Sequence, residues 1–392
     1  MCIRDRVKED LGTLVLEGAN SYSGGTTVKG GILQIASDAN LGAATGGLAL
    51  EGTTLHVTGD TASTRAVSLG AGSNTFDIDL SRTVALNGTV SGAGGLRKTG
   101  AGTLQLGAAN GYAGGTEVAA GSLQALVTDA LGTGPVSVAG NASLAFTNKA
   151  DAGKLAITLA QRGSAPTDNG GFLAFSDSSS AGSATITANK DATVEFRDSS
   201  SAGNAVIENR GGITTLWFNA NAGKAQITNF DGGQINLLDD ASAGQARFVN
   251  ESGGLIDMYD RVSADQATVV NNAGALLRIS KLATAGVGIG SLEGAGNVLL
   301  GAKALTTGAL NTSTTVSGTI SGSGGSLVKV GSGTLELSGA NTYTGGTTIA
   351  AGTLAVNNAS GSATGTGGVQ VQSGATLAGN GSVSGAVSIA KG

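Results

Sequence analysis

His56 is the only histidine in the chain, so a Ser-His-Asp relay or a histidine-based metal centre would have to be built around it. It stands in GTTLHVTGD, residues 52–60, where Leu55 and Val57 alternate with it. That alternation predicts an exposed strand residue, and a lone imidazole supplies too few ligands for zinc. Carboxylates offer a second chemistry. Asp177, Asp198, Asp239 and Asp260 recur at one position of a repeat, with Phe218 interrupting them. Asp239 and Asp260 are expected about one strand spacing apart, ~4.8 Å. That is close to the roughly 5 Å that separates the carboxyl pair of a retaining glycosidase. Repetition alone produces such columns, however, and Asp is favoured where a turn begins. Glycine-rich runs offer a third chemistry. GAGGLRKT, residues 92–99, ends like a phosphate-binding loop but has Arg97 where glycine is required. GAGNVL, residues 294–299, lacks a third glycine, and no helix is expected after either run. Both read as turns. The calcium-binding nonapeptide GGxGxDxUx does not occur. Cys2 is the only cysteine, which removes disulfides, cysteine-ligated zinc and iron–sulfur clusters together. These residues assign no catalytic, cofactor or metal site.

The scaffold that carries them has an unusual composition. Glycine makes up 68 of 392 residues, more than twice the usual share of about 7%. Charged residues are 12% and aromatics 3%, against about 25% charged in an average soluble chain. With 40% hydrophobic residues and a net charge of −5 there is enough to bury, so disorder is not expected. Only 2 prolines exclude a collagen-like or proline-rich chain. The mild acidity argues against a nucleic-acid partner. No apolar run is long enough to cross a bilayer as a helix, and no signal-peptide pattern opens the chain. Many short strands joined by glycine turns are expected.

The first repeat aligns without gaps at 12–35, 102–125 and 333–356. Each copy opens Gly-Thr-Leu at Gly12, Gly102 or Gly333, and a tyrosine follows at Tyr22, Tyr112 or Tyr343. Gly-Gly-Thr then precedes Gly-x-Leu, whose first residue is Gly31, Gly121 or Gly352. Leu14 is thereby expected to face Leu33, Leu104 to face Leu123 and Leu335 to face Leu354. The tyrosines are expected to close the corner by packing over it. Lys8, Lys98 and Lys329 each stand four residues before the opening glycine, so the pattern is already running at Val7. MCIRDR, residues 1–6, is unlike the rest and is expected to be a non-native leader.

A second repeat is anchored on Gly182, Gly203, Gly223, Gly244, Asp265 and Gly286, with steps of 21, 20, 21, 21 and 21. Ala184, Ala205, Ala225, Ala246 and Ala267 form one column, and Ile186, Ile207, Ile227, Phe248 and Val269 a second. Asn209, Asn229, Asn250 and Asn271 form a third, predicted to stack as an amide ladder. Phe175, Phe196, Leu216, Leu237, Met258 and Ile279 form a further apolar column. A coil of about 20 residues cannot bury its own apolar side, and stacking coils does so. The fold class is therefore all-β, a parallel β-solenoid of about 19–21-residue coils. It is expected to run as one continuous segment over 7–392, with the 21-residue coils at about 171–290. The stretches 58–85 and 127–170 keep strand character in poor register. RGSAPTDNGG, residues 162–171, with Pro166, is predicted to be a projecting loop.

GTLELSGANTYTGGTTIAAGTLAV, residues 333–356, resembles the passenger-associated repeat of bacterial autotransporters. LNGTVSGAGGLRKTGAGTL at 86–104 and GSLEGAGNVLLGAKALTTGALNTSTTVSGTISG at 290–322 are similar to the lead-in of those passengers. ATLAGNGSVSGAVSI at 375–389 resembles the coil that often follows. The resemblance implies a right-handed parallel β-helix, exported through the outer membrane of a Gram-negative cell by a C-terminal β-barrel translocator. The barrel is absent from this sequence, which reads as a passenger segment truncated at both ends. Members of the family are commonly adhesins, aggregation factors or scaffolds bearing another domain, and the repeat is taken to aid folding and export. The expected partners are a host or neighbouring-cell surface protein or glycan, or a second copy of the chain.

One surface feature stands out from the repetition. Trp217, Leu238 and Tyr259 follow the apolar column on three successive coils, flanked by Asp239 and Asp260. If they face outward they form an apolar-aromatic strip suited to sugar rings or a partner protein. If the residue missing from the 20-residue step falls in the turn after the strand, Trp217 turns inward instead. The expected role is structural and adhesive rather than enzymatic. The alternatives are a polysaccharide-acting β-helix enzyme and a secreted adhesin without its own barrel.

Overall fold

The structure, a computed structural model, describes residues 5–391. Cys2 and residues 1–4 of the expected leader lie outside the described residues. Arg6, the last residue of that leader, opens the strand Arg6–Lys8, which pairs with Thr26–Val28. The chain divides into two compact units, residues 1–194 and 195–392. Both are all-β, with parallel strands stacked coil on coil about every 21 residues.

In the first unit, one column of parallel strands rises from Thr13–Leu16 through Ile32–Ile35, Thr54–Val57 and Ser73–Ile78 to Gly95–Thr99. It continues through Thr116–Val118, Val136–Val138 and Ala156–Leu159 to Thr185–Ala188. A second column runs from Thr61–Ser63 to Phe172–Phe175 and a third from Arg6–Lys8 to Gly111–Tyr112. The stretch 58–85, irregular as sequence, is regular as structure: Thr61–Ser63, Val67–Leu69 and Ser73–Ile78 all pair in parallel register. The register survives because it is set by alternate buried positions such as Val67, Leu69, Phe76 and Ile78. The segment 162–171 forms no strand and residues 161–167 are exposed, as expected of a projecting loop. The 3-10 turn Asp38–Leu41 is held by Arg65, whose buried guanidinium bonds the Asp38 carboxylate at 2.8 Å and the carbonyls of Gly42, Ala43 and Gly46.

In the second unit, Val206–Arg210, Gln226–Phe230, Arg247–Asn250 and Ala264–Asn271 stack in parallel, and the column continues to Val387–Ile389. Beside it stand Ile213–Leu216, Gln234–Leu237, Leu255–Asp260 and Leu276–Leu282. Here the third face shrinks to single bridges, Ser201–Asn221, Asn221–Ser242 and Ser242–Ser263. The narrow core this leaves is filled by alanines: Ala205, Ala225, Ala246 and Ala267 are wholly buried beside Ile207, Ile227, Phe248 and Val269. The ladder of asparagines is present. Asn209 Nδ2 donates to Asn229 Oδ1 at 2.8 Å, Asn229 to Asn250 at 3.0 Å, and Asn250 to Asn271 at 2.9 Å. Thr214 Oγ1 donates to its first member and the Asn297 carbonyl accepts from its last, so neither end is left open. Where the sequence step is 20, the missing residue falls between Asn209 and Ile213, before the strand Ile213–Leu216. Leu216, Leu237 and Met258 therefore stay in one register.

Candidate functional site

The glycine-rich motif is a corner of the coil. Leu14 pairs with Leu33, Leu104 with Leu123 and Leu335 with Leu354, as the spacing predicts. Gly121 has φ +68°, and a Cβ there would lie 2.5 Å from the carbonyl oxygens of Gly100 and Gly102. Only glycine tolerates both the left-handed backbone and that close approach of the preceding coil. Tyr112 and Tyr343 do not lie over the corner, whereas Tyr22 is half-buried with Arg6 over its ring and its hydroxyl 2.9 Å from Thr26 Oγ1. Tyr112 and Tyr343 are wholly buried, their hydroxyls bonded to Thr116 at 2.6 Å and Thr347 at 2.5 Å. They fill the corner from inside because the glycine of the next coil, Gly132 or Gly365, leaves room against the ring.

GAGGLRKT is a turn only in part, since Gly95–Thr99 is a strand. In it Arg97 faces out and pairs with Glu117 at 2.9 Å, while Lys98 faces in and is wholly buried. Lys98 Nζ donates to the carbonyls of Thr99, Gly100 and Ala120 at 2.6, 2.8 and 3.3 Å. Lys329 repeats the arrangement with Val330, Gly331 and Ala351. Gly100 and Ala120 lie in the bends beside the strand end at Thr99, and the lysine satisfies their carbonyls from inside. Burial pushes the Lys98 ammonium down to about 8, opposed by the charge of Asp77, and burial lowers Lys329 as well. Sequence reasoning used these lysines as register marks and missed their inward direction.

His56 lies on the strand Thr54–Val57 and its Nε2 is hydrogen-bonded with Asp79 Oδ1 at 2.9 Å on the surface of the first unit. Among the described residues no group of three His, Cys, Asp or Glu side chains is placed to hold a metal ion.

The aspartate column occupies a left-handed turn position, with φ +57° at Asp177, +56° at Asp198, +57° at Asp239 and +49° at Asp260. Asp and Asn tolerate this conformation because their short side chains bond locally. The carboxylates serve the backbone: Asp239 Oδ2 accepts from the Phe218 amide and Asp260 Oδ2 from the Asp239 amide, both at 3.1 Å. Each thus caps the turn of the coil before it.

Phe218 stands in that same column at φ +55° and is 52% exposed. A bulky side chain at positive φ is a backbone outlier. Beside it, Trp217 is half-buried and its indole N–H is buried without an acceptor. Leu238 and Tyr259 follow on the next two coils, also half-buried. The five residues singled out from the sequence, Trp217, Leu238, Tyr259, Asp239 and Asp260, are therefore on neighbouring coils of one unit. The sequence marked Phe218 only as a break in the aspartate column. That break was the signal for the most exposed ring of the group.

Charges frame the strip, and the sequence did not bring them together. Arg261 holds Asp240 through two bonds of 2.7 Å, which keep that carboxyl below the ordinary range. Lys281 Nζ lies 4.5 Å over the Tyr259 ring and donates to its hydroxyl at 2.8 Å. Asp257 is buried and bonded by Arg278 and Lys281. Burial works to raise its carboxyl, but the bonds from Arg278 and Tyr259 and the two positive charges hold it low.

The passenger-associated-transport-repeat family matches the chain at residues 7–35, 96–125 and 327–356, the three corners just described. The chain is 50% identical over 100 residues to the adhesin BmaC autotransporter of Brucella suis biovar 1 (strain 1330). That alignment covers 26% of this chain and 3% of the relative. No solved structure matches the chain. The chain thus carries three passenger-associated-transport repeats and is similar, over about a quarter of its length, to a bacterial autotransporter adhesin.

Proposed function

We propose that the chain is a surface-displayed scaffold that supports adhesion, and that its contact face is the Trp217–Phe218–Leu238–Tyr259 strip. Its place among autotransporter passengers implies a C-terminal β-barrel translocator as its export partner. The observation that carries the adhesive reading is the departure at Trp217 and Phe218 from otherwise uniform coils. Everywhere else in the aspartate column a short polar side chain fits the turn. At this coil an aromatic ring is exposed instead, in a conformation that costs of order 1–3 kcal/mol. Strain retained next to a buried unsatisfied donor is characteristic of a functional surface.

The role is binding rather than catalysis. The carboxylates that resembled a glycosidase pair each accept from the backbone amide of the preceding coil, which supports a turn-capping role for them. The test coats beads with the 392-residue chain and measures their attachment to host epithelial cells and to cells of the producing bacterium. Attachment above that of beads coated with albumin supports the reading. Attachment no greater than albumin to either cell type contradicts it.

A further inference from the structure

We infer that the strip binds a neutral glycan, with one pyranose ring lying on Phe218 and its neighbours along the Leu238 and Tyr259 coils. The inference rests on the adhesion reading and names its ligand class.

Three observations select this occupant. The first is size. A stable protein interface covers about 800 Å² on each partner with a well-packed apolar centre. One ring at 52% exposure and three half-buried side chains make a much smaller apolar platform. That platform matches sugar rings rather than a second folded surface.

The second is chemistry. A pyranose has an apolar C–H face and a rim of hydroxyls. Aromatic rings accept the first. Carboxylates and a guanidinium accept and donate to the second, and bonds involving a charged partner are the stronger kind. Asp239 and Asp260 each give one oxygen to a backbone amide, which orients the carboxylate and leaves lone pairs on the other. Arg261 and Asp240 are locked together on the same turns by their two-bond pair. These groups are held in place before any ligand arrives, which lowers the entropy cost of binding.

The third is charge. Around the strip Asp239, Asp240, Asp257 and Asp260 stand against Arg261, Arg278 and Lys281. The near balance offers no positive field to a sulfated or sialylated chain, and the acidic groups on the strip itself disfavour one.

The substitution that tests this is already present in the neighbouring coils. Phe218→Asp restores the side chain that the turn takes at Asp198 and Asp239. It removes the exposed ring and relieves the strained φ, so folding is expected to be preserved. Labelled 392-residue chain is applied to an array of neutral hexose and N-acetylhexosamine oligosaccharides beside sialylated and sulfated ones. Hits are then titrated by calorimetry with the same oligosaccharide. The expected result is binding confined to neutral glycans, at least tenfold weaker for Phe218→Asp, with a melting temperature no lower than the parent's. Tyr259→Ala, which removes the ring and hydroxyl that hold Lys281 beside the strip, is expected to weaken the same glycans. Binding only to charged glycans, binding unchanged by Phe218→Asp, or no glycan bound would each overturn the inference.

The bead assay separates this from the parent reading. Beads that adhere through a Phe218-dependent contact, with no glycan bound on the array, would leave adhesion standing and make a protein the ligand. Beads that do not adhere would remove the adhesion reading itself.

Discussion

Replacing Asn229 tests whether the buried amide ladder holds its coils together. The side chain is wholly buried. Its Oδ1 accepts from Asn209 at 2.8 Å, and its Nδ2 donates to Asn250 Oδ1 and to the Leu255 carbonyl, both at 3.0 Å. Asn229→Leu keeps the branched heavy-atom shape and removes all three bonds, about 3 kcal/mol at ~1 kcal/mol each. Asn209 keeps the Gln234 carbonyl at 3.1 Å, but Asn250 Oδ1 loses its donor. An orphaned buried acceptor adds ~1–3 kcal/mol, and the apolar gain of leucine returns ~1–2 kcal/mol. A net loss of about 3 kcal/mol is expected.

Asn229→Asp gives the sharper test. Its second oxygen would face two acceptors, Asn250 Oδ1 and the Leu255 carbonyl. Only the protonated acid can donate there, so folding must raise its pKa above the ordinary ~3.9. The folded state then holds a proton that the unfolded state releases. Stability is greatest below about pH 4 and is lost as pH rises toward the folded pKa. Trp217, the only tryptophan, lies in the coil that leads into Asn229 and reports on it locally. Urea unfolding followed by its fluorescence between pH 3.5 and 8 should show the variant's midpoint falling relative to the parent. The exposed control Asn219→Asp should run parallel to the parent. A pH-independent gap, or an Asn229→Leu variant as stable as the parent, would refute the ladder as a stabilising element.

Four further outcomes are expected. Ile227→Asp buries an unpaired charge in a position that is 0% exposed, and should lower stability by more than about 4 kcal/mol and abolish the cooperative Trp217 transition. Gly121→Ala, at φ +68° with its Cβ 2.5 Å from two carbonyl oxygens, should cost at least ~2 kcal/mol in a thermal melt. In alkali, burial raises the Tyr112 and Tyr343 phenols above their ordinary value, against the bonds from Thr116 and Thr347. The folded chain keeps those protons past the unfolded pKa of ~10, so stability falls as pH rises beyond it, and Tyr112→Phe should flatten the fall in pH-dependent melts. Lys98 acts with the opposite sign: it sheds its proton near 8 when folded and near ~10.4 when unfolded, so its contribution to stability rises between those values.

The parts of the fold legible in the sequence were those set by period and offset. Constant spacing placed Leu104 against Leu123, and the column of asparagines announced a ladder because stacked amides complete one another. The aspartate column was legible as a turn because its residue type fits a left-handed φ. Lys98 and Lys329 were hidden by their charge, although each alternates with an inward leucine, Leu96 or Leu327, and so shares its face. Their partners are carbonyls, which leave no mark on residue type. Arg65 is hidden for the same reason, since most of its bonds go to backbone oxygens of one loop. The strip residues were legible as neighbours, but their half-buried state depended on where the missing residue fell. Phe218 looked like an interruption, and only its φ and exposure give that interruption a physical meaning.

The central claim is that these coils are displayed on the outside of the cell as an autotransporter passenger. The direct measurement treats intact cells of the producing bacterium with proteinase K and probes them with antibody raised against this chain. The account predicts that the chain is labelled on untreated intact cells and lost after protease, while a periplasmic control protein survives. A chain that stays protected until the outer membrane is permeabilised would contradict it.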